Sequence, residues 1–464
     1  MGSENRLWVY IKKYGKLSLA FMLYMYYYLT VELSFTDIAG SVFGEETGMI
    51  FYGLYSLASA AGFFVFGLTL SLIRSAGKRR RTLFILGIIG TGCTIFTPFV
   101  YGYWIGLLSI TAMLVAGYIG GMFLYSAAVT LQEKSICGML FAIPVATANL
   151  LQYTIGFIEP LLGSGLLIAT YIFLAALLAG SVVLLLTYGS GANAAIIPRL
   201  AEKSEAKKHL ASALISCVII SCLYGLMDGI IMNLSVGQVI DVWGWVRLLT
   251  IPGILCAAWL ADFKDGRYFQ FATLIAMIAG VLSVLLWHTA ETYNIALGCV
   301  YFFFSFMSLY NIVVFVRVAN DTDNPGFWSS VGRGARYAVG GVVALAGSFV
   351  FTHMNLIAVM VIYIILLIAL ACVVYFRGIL EIKPPETARV KIDSVLQNFD
   401  SLISAYDFTE RETELMRLLL SGKPASAIAE EMFVTVGTVY KYTSAVMAKT
   451  GTKSRLELMA IFRG

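Results

Sequence analysis

The sequence has 464 residues, of which 59% are hydrophobic and 13% charged, with a formal net charge of +5. Soluble domains carry about 25% charged residues, and burying a core does not remove half of them, so a wholly water-soluble chain is excluded. Lipid does remove them, because a surface that faces hydrocarbon must itself be apolar. The seven cysteines stand singly in apolar stretches, without a CxxC pair or a compact Cys/His cluster, which excludes a disulfide framework and a zinc site.

The opening, MGSENRLWVYIKKYGK, is a basic flank with no small-residue cleavage site after the apolar run that follows it. It reads as the approach to a first span rather than a removed signal peptide. A span needs about 20 mainly apolar residues to cross the hydrocarbon layer. In chain order the candidates are 15–34, 50–72, 82–101, 104–130, 137–158, 163–189, 209–233, 243–261, 269–288, 293–317, 332–352 and 355–377.

The loops test that count independently. One side collects Arg6, Lys12 and Lys13, then Arg74 with Lys78, Arg79, Arg80 and Arg81, then Lys134. It continues with Arg199, Lys203, Lys207 and Lys208, with Lys264 and Arg267, with Arg317, Arg333 and Arg336, and with Arg377. The opposite loops, TDIAGSVFGEETG, PFVYGY, IEPLLGS, LSVGQVIDVWG, HTAET and FTHMN, contain neither lysine nor arginine, and Arg247 lies just beyond one of them. The positive-inside rule therefore places both termini in the cytoplasm. Omitting any one span would invert every later loop and destroy the alternation.

The longest polar break, GANAAIIPRLAEKSEAKKH, divides the spans six and six. It suggests one half at 1–190, a cytoplasmic linker at 191–208, and a second half at 209–378. Two six-span halves joined by a basic linker resemble the major facilitator superfamily. Motifs support the resemblance in part. SLIRSAGKRRR between spans two and three keeps Gly77 and the basic run of that family's GxxxDxxGRR-type signature, without its acid. LADFKDGR between spans eight and nine keeps Asp262, Gly266 and Arg267, with one extra residue between the acid and the glycine.

Within the spans, ionisable and amide side chains are the functional candidates, because polar groups at membrane depth are costly. The sequence places Asp228 and Arg247 there, with the amides Asn149, Gln152, Asn233 and Asn311, and a tyrosine cluster of Tyr24, Tyr26, Tyr27 and Tyr28. Asp228, Asn149, Gln152, Tyr27 and Asn311 are candidates for sensing a small molecule, the acid and amides by lining a cavity between the halves. The same residues could instead be interhelical hydrogen-bond partners. His209, His288 and His353 lie far apart, so no metal site is expected. No nucleotide-binding loop or Ser/His/Asp arrangement is present, so neither an enzyme nor a cofactor is expected.

After Arg377 the composition turns polar, and Pro384 and Pro385 prevent a straight helical continuation. Residues 379–405 read as a linker, with a short amphipathic helix over 391–404. From 406 onward four short helices carry legible signals. Thr409 with Glu412 forms a capping box for the first, which Gly422 closes. Pro424 opens the second. Thr435 caps the third, which ends at Gly451, and Ser454 with Glu457 caps the fourth. Leu415, Leu418, Leu419, Ile428, Met432, Val439, Val446, Leu456 and Met459 supply one small core. The second helix, the turn and the third helix have helix-turn-helix spacing.

This stretch resembles the LuxR/GerE-type DNA-binding domain. The shared positions include Thr409, Arg411, Glu412, Glu414, Leu418, Leu419, Gly422, Ile428, Ala429, Thr435, Thr438, Val439, Lys449, Gly451, Arg455 and Leu458. Tyr440 and Tyr442 replace that family's usual lysine and histidine. The resemblance implies binding to double-stranded DNA through Thr435, Thr438, Val439, Tyr440, Lys441, Ser444 and Lys449. Within that set Lys441 and Ser444 are candidates for the groove, Tyr440 and Lys449 for the backbone, and Val439 for either a thymine methyl or the core. Over 407–464 eight Lys/Arg face seven Asp/Glu, so one copy has little electrostatic drive toward DNA, and a homodimer on a pseudo-palindromic site is expected.

The expected fold is therefore all-α, with twelve membrane spans in two six-helix halves and a four-helix DNA-binding domain at 406–464. The resemblances imply a one-component transcriptional regulator in a bacterial inner membrane. Its partners would be promoter DNA, the lipid bilayer and a small-molecule inducer. The alternatives are a transporter with a regulatory tail, and a tethered interaction protein that has lost DNA.

Overall fold

A computed structural model describes residues 3–73, 75–131, 136–162, 166–188, 203–236, 244–266, 268–284, 290–320, 322, 324–353, 356–376, 406, 408–420, 425–432, 434–452 and 458. Among them every regular element is helical. The chain divides into two compact units, Met1–Leu380 and Glu381–Gly464.

The first unit contains α1 (Ser3–Phe43), α2 (Glu45–Leu72), α3 (Ala76–Phe96), α4 (Tyr103–Thr130), α5 (Cys137–Leu162) and α6 (Leu166–Tyr188). After the central linker come α7 (Lys203–Val236), α8 (Thr250–Asp262), α9 (Phe269–Val284), α10 (Ala290–Ala319), α11 (Pro325–His353) and α12 (Leu356–Phe376). A 3-10 turn at Trp245–Leu249 leads into α8 and carries Arg247. Each sequence-predicted span falls on one of these helices. Among the described residues seven stretches are long and apolar enough to cross a membrane, by length and composition alone. The stretches of α1 and α11 that fall short contain Glu32, Arg333 and Arg336, charges that line an internal cavity instead of facing lipid.

The halves interlock mainly through α2 packing on α11 and α5 packing on α8, while α2 packs on α4 within the first half and α11 on α7 within the second. Small residues make the α2–α4 approach possible. A Cβ at Gly117 would run into the Ser59 carbonyl, and one at Gly62 into the Leu114 carbonyl. Glycine at both crossings brings the two backbones together, the usual device where lipid provides no hydrophobic drive between helices.

One loop assignment needs correction. Arg333 and Arg336, counted above with the basic loops, lie inside α11. The helix starts earlier than the apolar pattern implied because Asn324 caps it, its Oδ1 accepting from the Phe327 amide at 3.1 Å, and Pro325 occupies the first helical position. Both arginines consequently sit two to three turns into the helix.

In the second unit the described helices are α13 (Glu410–Leu420), α14 (Ala425–Glu431) and α15 (Val436–Thr450). The capping box at Thr409 and Glu412 forms: the Thr409 amide donates to Glu412 Oε2 at 2.8 Å, and the Glu412 amide reaches Thr409 Oγ1 at 3.4 Å. Thr435 caps α15 by accepting from the Thr438 amide at 3.3 Å, and Gly451 ends it in the left-handed region at φ 70°. Leu415, Met416, Leu419, Ile428, Ala429, Met432, Val439, Val446 and Leu458 form the core. Most of the fourth helix, the 391–404 helix, Gly422 and Pro424 lie outside the described residues.

Candidate functional site

The first unit encloses a cavity of about 650 Å³, within the range of small-molecule sites. Its wall is built from α1, α2, α5, α7, α8, α10, α11 and the 3-10 turn. Lining residues run from mid-helix positions such as Asp228, Val300 and Tyr337 to Gly40, Ser41 and Gly48 at the α1–α2 turn. That turn belongs to the face whose loops lack lysine and arginine.

Among the described residues six charged ones line it: Glu32, Asp37, Asp228, Arg247, Arg333 and Arg336. Tyr52 donates to Asp228 Oδ2 at 2.9 Å, and Ser56 donates to Glu32 Oε1 at 3.1 Å. Arg247 Nη2 donates to Gln152 Oε1 at 2.8 Å, while the Gln152 amide nitrogen donates to the Leu29 carbonyl at 2.9 Å. The Arg336 guanidinium lies 4.4 Å from the Tyr224 ring centre and 4.9 Å from that of Tyr337; Arg333 is 5.2 Å from Tyr337. Stacking on aromatic faces stabilises such cations where water is scarce.

The five sensing candidates separate on inspection. Asp228 and Asn149 line the cavity. Gln152 is buried behind it and holds Arg247, which does line it. Tyr27 is fully buried and turned toward α3, with its hydroxyl 2.9 Å from Thr94 Oγ1. Asn311 is also fully buried and accepts from Cys217 Sγ at 3.1 Å. For Tyr27 and Asn311 the interhelical alternative describes the geometry, and neither is among the lining residues. Sequence inspection missed Glu32, Asp37, Arg333 and Arg336. Glu32 was legible as an acid inside LTVELSF; the two arginines stand at the start of the predicted span 332–352 and were counted as loop charge.

Away from the cavity, Asp262 at the end of α8 ties three elements together. Its Oδ1 accepts from the Gly138 amide at 2.6 Å and from Arg317 Nη2 at 2.8 Å, and its Oδ2 accepts from the Met139 amide at 2.8 Å. A carboxylate here faces the positive end of α5, so the first half is fastened to α8 and α10 of the second.

In the second unit, α15 presents Gly437, Tyr440, Lys441 and Ser444 along one side, at the spacing of a single helical face. Tyr440 is 61% exposed, and Lys441 and Ser444 are exposed as well. Val439 is 1% exposed and belongs to the core, which removes the thymine-methyl option. Tyr442 packs against that core. Thr438 spends its amide on the Thr435 cap, so that donor is engaged rather than open to a phosphate. Lys449 makes a 2.7 Å ion pair with Glu412 Oε2. Burial raises the Glu412 carboxyl, but the hydrogen bonds from Lys449 and from the Thr409 hydroxyl and amide outweigh it and hold Glu412 below the ordinary glutamate value. Lys449 therefore fastens the end of α15 to the start of α13.

Residues 407–462 match the family of bacterial regulatory proteins, luxR family. They are a luxR-type DNA-binding domain. The helical bundle is similar in fold to the E. coli fucose:proton symporter, at TM-score 0.51 and 13% identity, covering 79% of this chain and 99% of the symporter. It is similar also to the proton:xylose symporter of the major facilitator superfamily, at TM-score 0.55 and 12% identity, covering 79% of this chain and 95% of that one. No curated protein sequence matches the chain. A major-facilitator-like membrane domain and a luxR-type domain thus share one polypeptide.

Proposed function

We propose that the chain is a one-component transcriptional regulator that senses a small molecule in its membrane domain and binds promoter DNA through its luxR-type domain. The observation that carries this reading is the presence, in one chain, of a six-charge cavity at membrane depth and a helix with Tyr440, Lys441 and Ser444 exposed on one face. Charges in such a setting need a functional reason, because each is costly in hydrocarbon. The alternating loop charge supports a bacterial inner-membrane location with both termini cytoplasmic, on the side where DNA lies. The near-balanced charge of the domain favours binding as a homodimer, which doubles the contacts on a two-fold site. Ligand binding regulates only if it prefers one of two arrangements of the bundle, and that preference bounds the response.

The test is a comparison of transcripts in wild-type, deletion and Asp228→Asn cells across a panel of small molecules. A gene set that responds in the wild type, is lost in the deletion and shows a shifted dose response in Asp228→Asn supports the regulator. The symporter-like fold gives a transporter with a regulatory tail as the competing reading. Sustained uptake of the inducer into vesicles by the purified chain would favour it, since a sensor binds without turnover.

A further inference from the structure

Four of the charges lining the cavity, Glu32, Asp228, Arg333 and Arg336, form no ion pair with one another. Arg333 and Arg336 stand three residues apart on α11, hence on one face, where like charges repel. Arg333 is 5% exposed, and among the described residues it reaches, beyond the Tyr337 ring, only Met25 Sδ, at 3.6 Å. Arg336 is stacked on two tyrosines, and its Nε is buried without a hydrogen-bond partner. On other elements of the same wall, Glu32 on α1 accepts from Ser56 and Asp228 on α7 accepts from Tyr52, both neutral donors. Guanidinium forks matched to a carboxylate, and carboxylates matched to an ammonium, make hydrogen bonds roughly twice as strong as neutral ones.

We propose that the cavity takes a zwitterionic small molecule of the amino-acid or short-peptide class, with its carboxylate on Arg333 and Arg336 and its ammonium toward Asp228 and Glu32. This rests on the cavity being the signal site. Two arginines and two acids that are not paired with one another favour a ligand of no net charge whose own poles are separated. A simple anion would relieve the arginines and leave both acids facing it; a simple cation would do the reverse. Met25, Leu29, Val145, Ile254 and Phe304 give the ligand's body an apolar wall. Because Glu32 belongs to the first half and the arginines to the second, such a ligand would bridge the halves.

The experiment uses the full-length chain in detergent. Standard amino acids and a panel of dipeptides are screened by thermal shift, and each hit is titrated again as its N-acetyl and its carboxamide form. At least one zwitterion should bind, and masking either pole should weaken it about tenfold or more, as expected for one lost charge-assisted contact. Asp228→Asn should shrink the penalty for N-acetylation and spare that for the carboxamide, whereas Arg336→Gln should do the opposite. These ratios compare ligands within one variant, so general misfolding does not imitate them. No zwitterionic hit, or an N-acetyl form that binds as tightly as its parent, overturns the proposal. A zwitterion that binds with the predicted ratios but changes no transcript upholds the ligand class and refutes the sensor.

Discussion

Replacing Glu412 by alanine removes three contacts at once. The Thr409 amide and hydroxyl both donate to Glu412 Oε2, at 2.8 and 3.0 Å. Losing such a box costs about 1 kcal/mol. The Lys449 pair at 2.7 Å is anchored on a carboxylate whose side chain is 8% exposed, while the lysine is 36% exposed. Solvent screening of the lysine limits that contribution to about 1 kcal/mol. Glu412→Ala should therefore cost about 2 kcal/mol, Lys449→Ala about 1, and the pair should couple by about 1 in a double-mutant cycle. For a domain of this size the glutamate variant should melt about 8–16 °C lower.

The assay is urea unfolding of the 381–464 fragment, followed by far-ultraviolet circular dichroism at several pH values. A carboxyl held low in the folded state contributes stability above the ordinary glutamate value of about 4.3 and loses it as the pH falls through the folded value. The coupling should therefore be complete at pH 7 and vanish in acid. A coupling of zero at pH 7 would show that Lys449 is not committed to Glu412. It would then return that lysine to the DNA backbone, where the sequence had placed it.

Three further outcomes follow from the same geometry. Gly117→Val should prevent α2 and α4 from meeting, because its Cβ alone would strike the Ser59 carbonyl; monodisperse yield in detergent should collapse, whereas Gly92→Val, with nothing near its Cβ, should express normally. Tyr27→Phe should leave the ligand response unchanged, since it removes only the hydroxyl facing Thr94, and a shifted dose response would return Tyr27 to the signal site. Reporter fusions after Ala290 and after Gly464 should report opposite sides of the membrane, and matching sidedness would break the twelve-helix topology.

The helices and their order were legible because span length, loop charge and cap chemistry are local, redundant signals. Thr409, Glu412, Thr435 and Gly451 each did what the capping pattern implied. The luxR-type motif was equally plain, since it repeats a dense set of residues at fixed spacing. The cavity was legible only in part. Asp228 and Asn149 were found as polar residues in apolar runs, but Arg333 and Arg336 fall at the first residues of the predicted span 332–352, so they looked like loop charges at its edge rather than residues two to three turns into a helix. Tyr27 and Asn311 looked like lining residues because periodicity gives a helix's faces without saying which neighbour each face meets. Lys449 illustrates the same limit in the second unit. A lysine near the end of a recognition helix suggests phosphate, and only the fold reveals Glu412 37 residues earlier in the chain beside it.

Chromatin immunoprecipitation of the full-length chain, sequenced genome-wide, tests most directly whether this membrane protein works on promoters. The comparison is with a Tyr440→Ala, Lys441→Ala variant expressed at the same level, both substitutions lying on the exposed face of α15 and outside the core. The account predicts discrete sites upstream of genes for the unaltered chain, and their disappearance in the variant. Enrichment that is diffuse, or that persists unchanged without Tyr440 and Lys441, would contradict it.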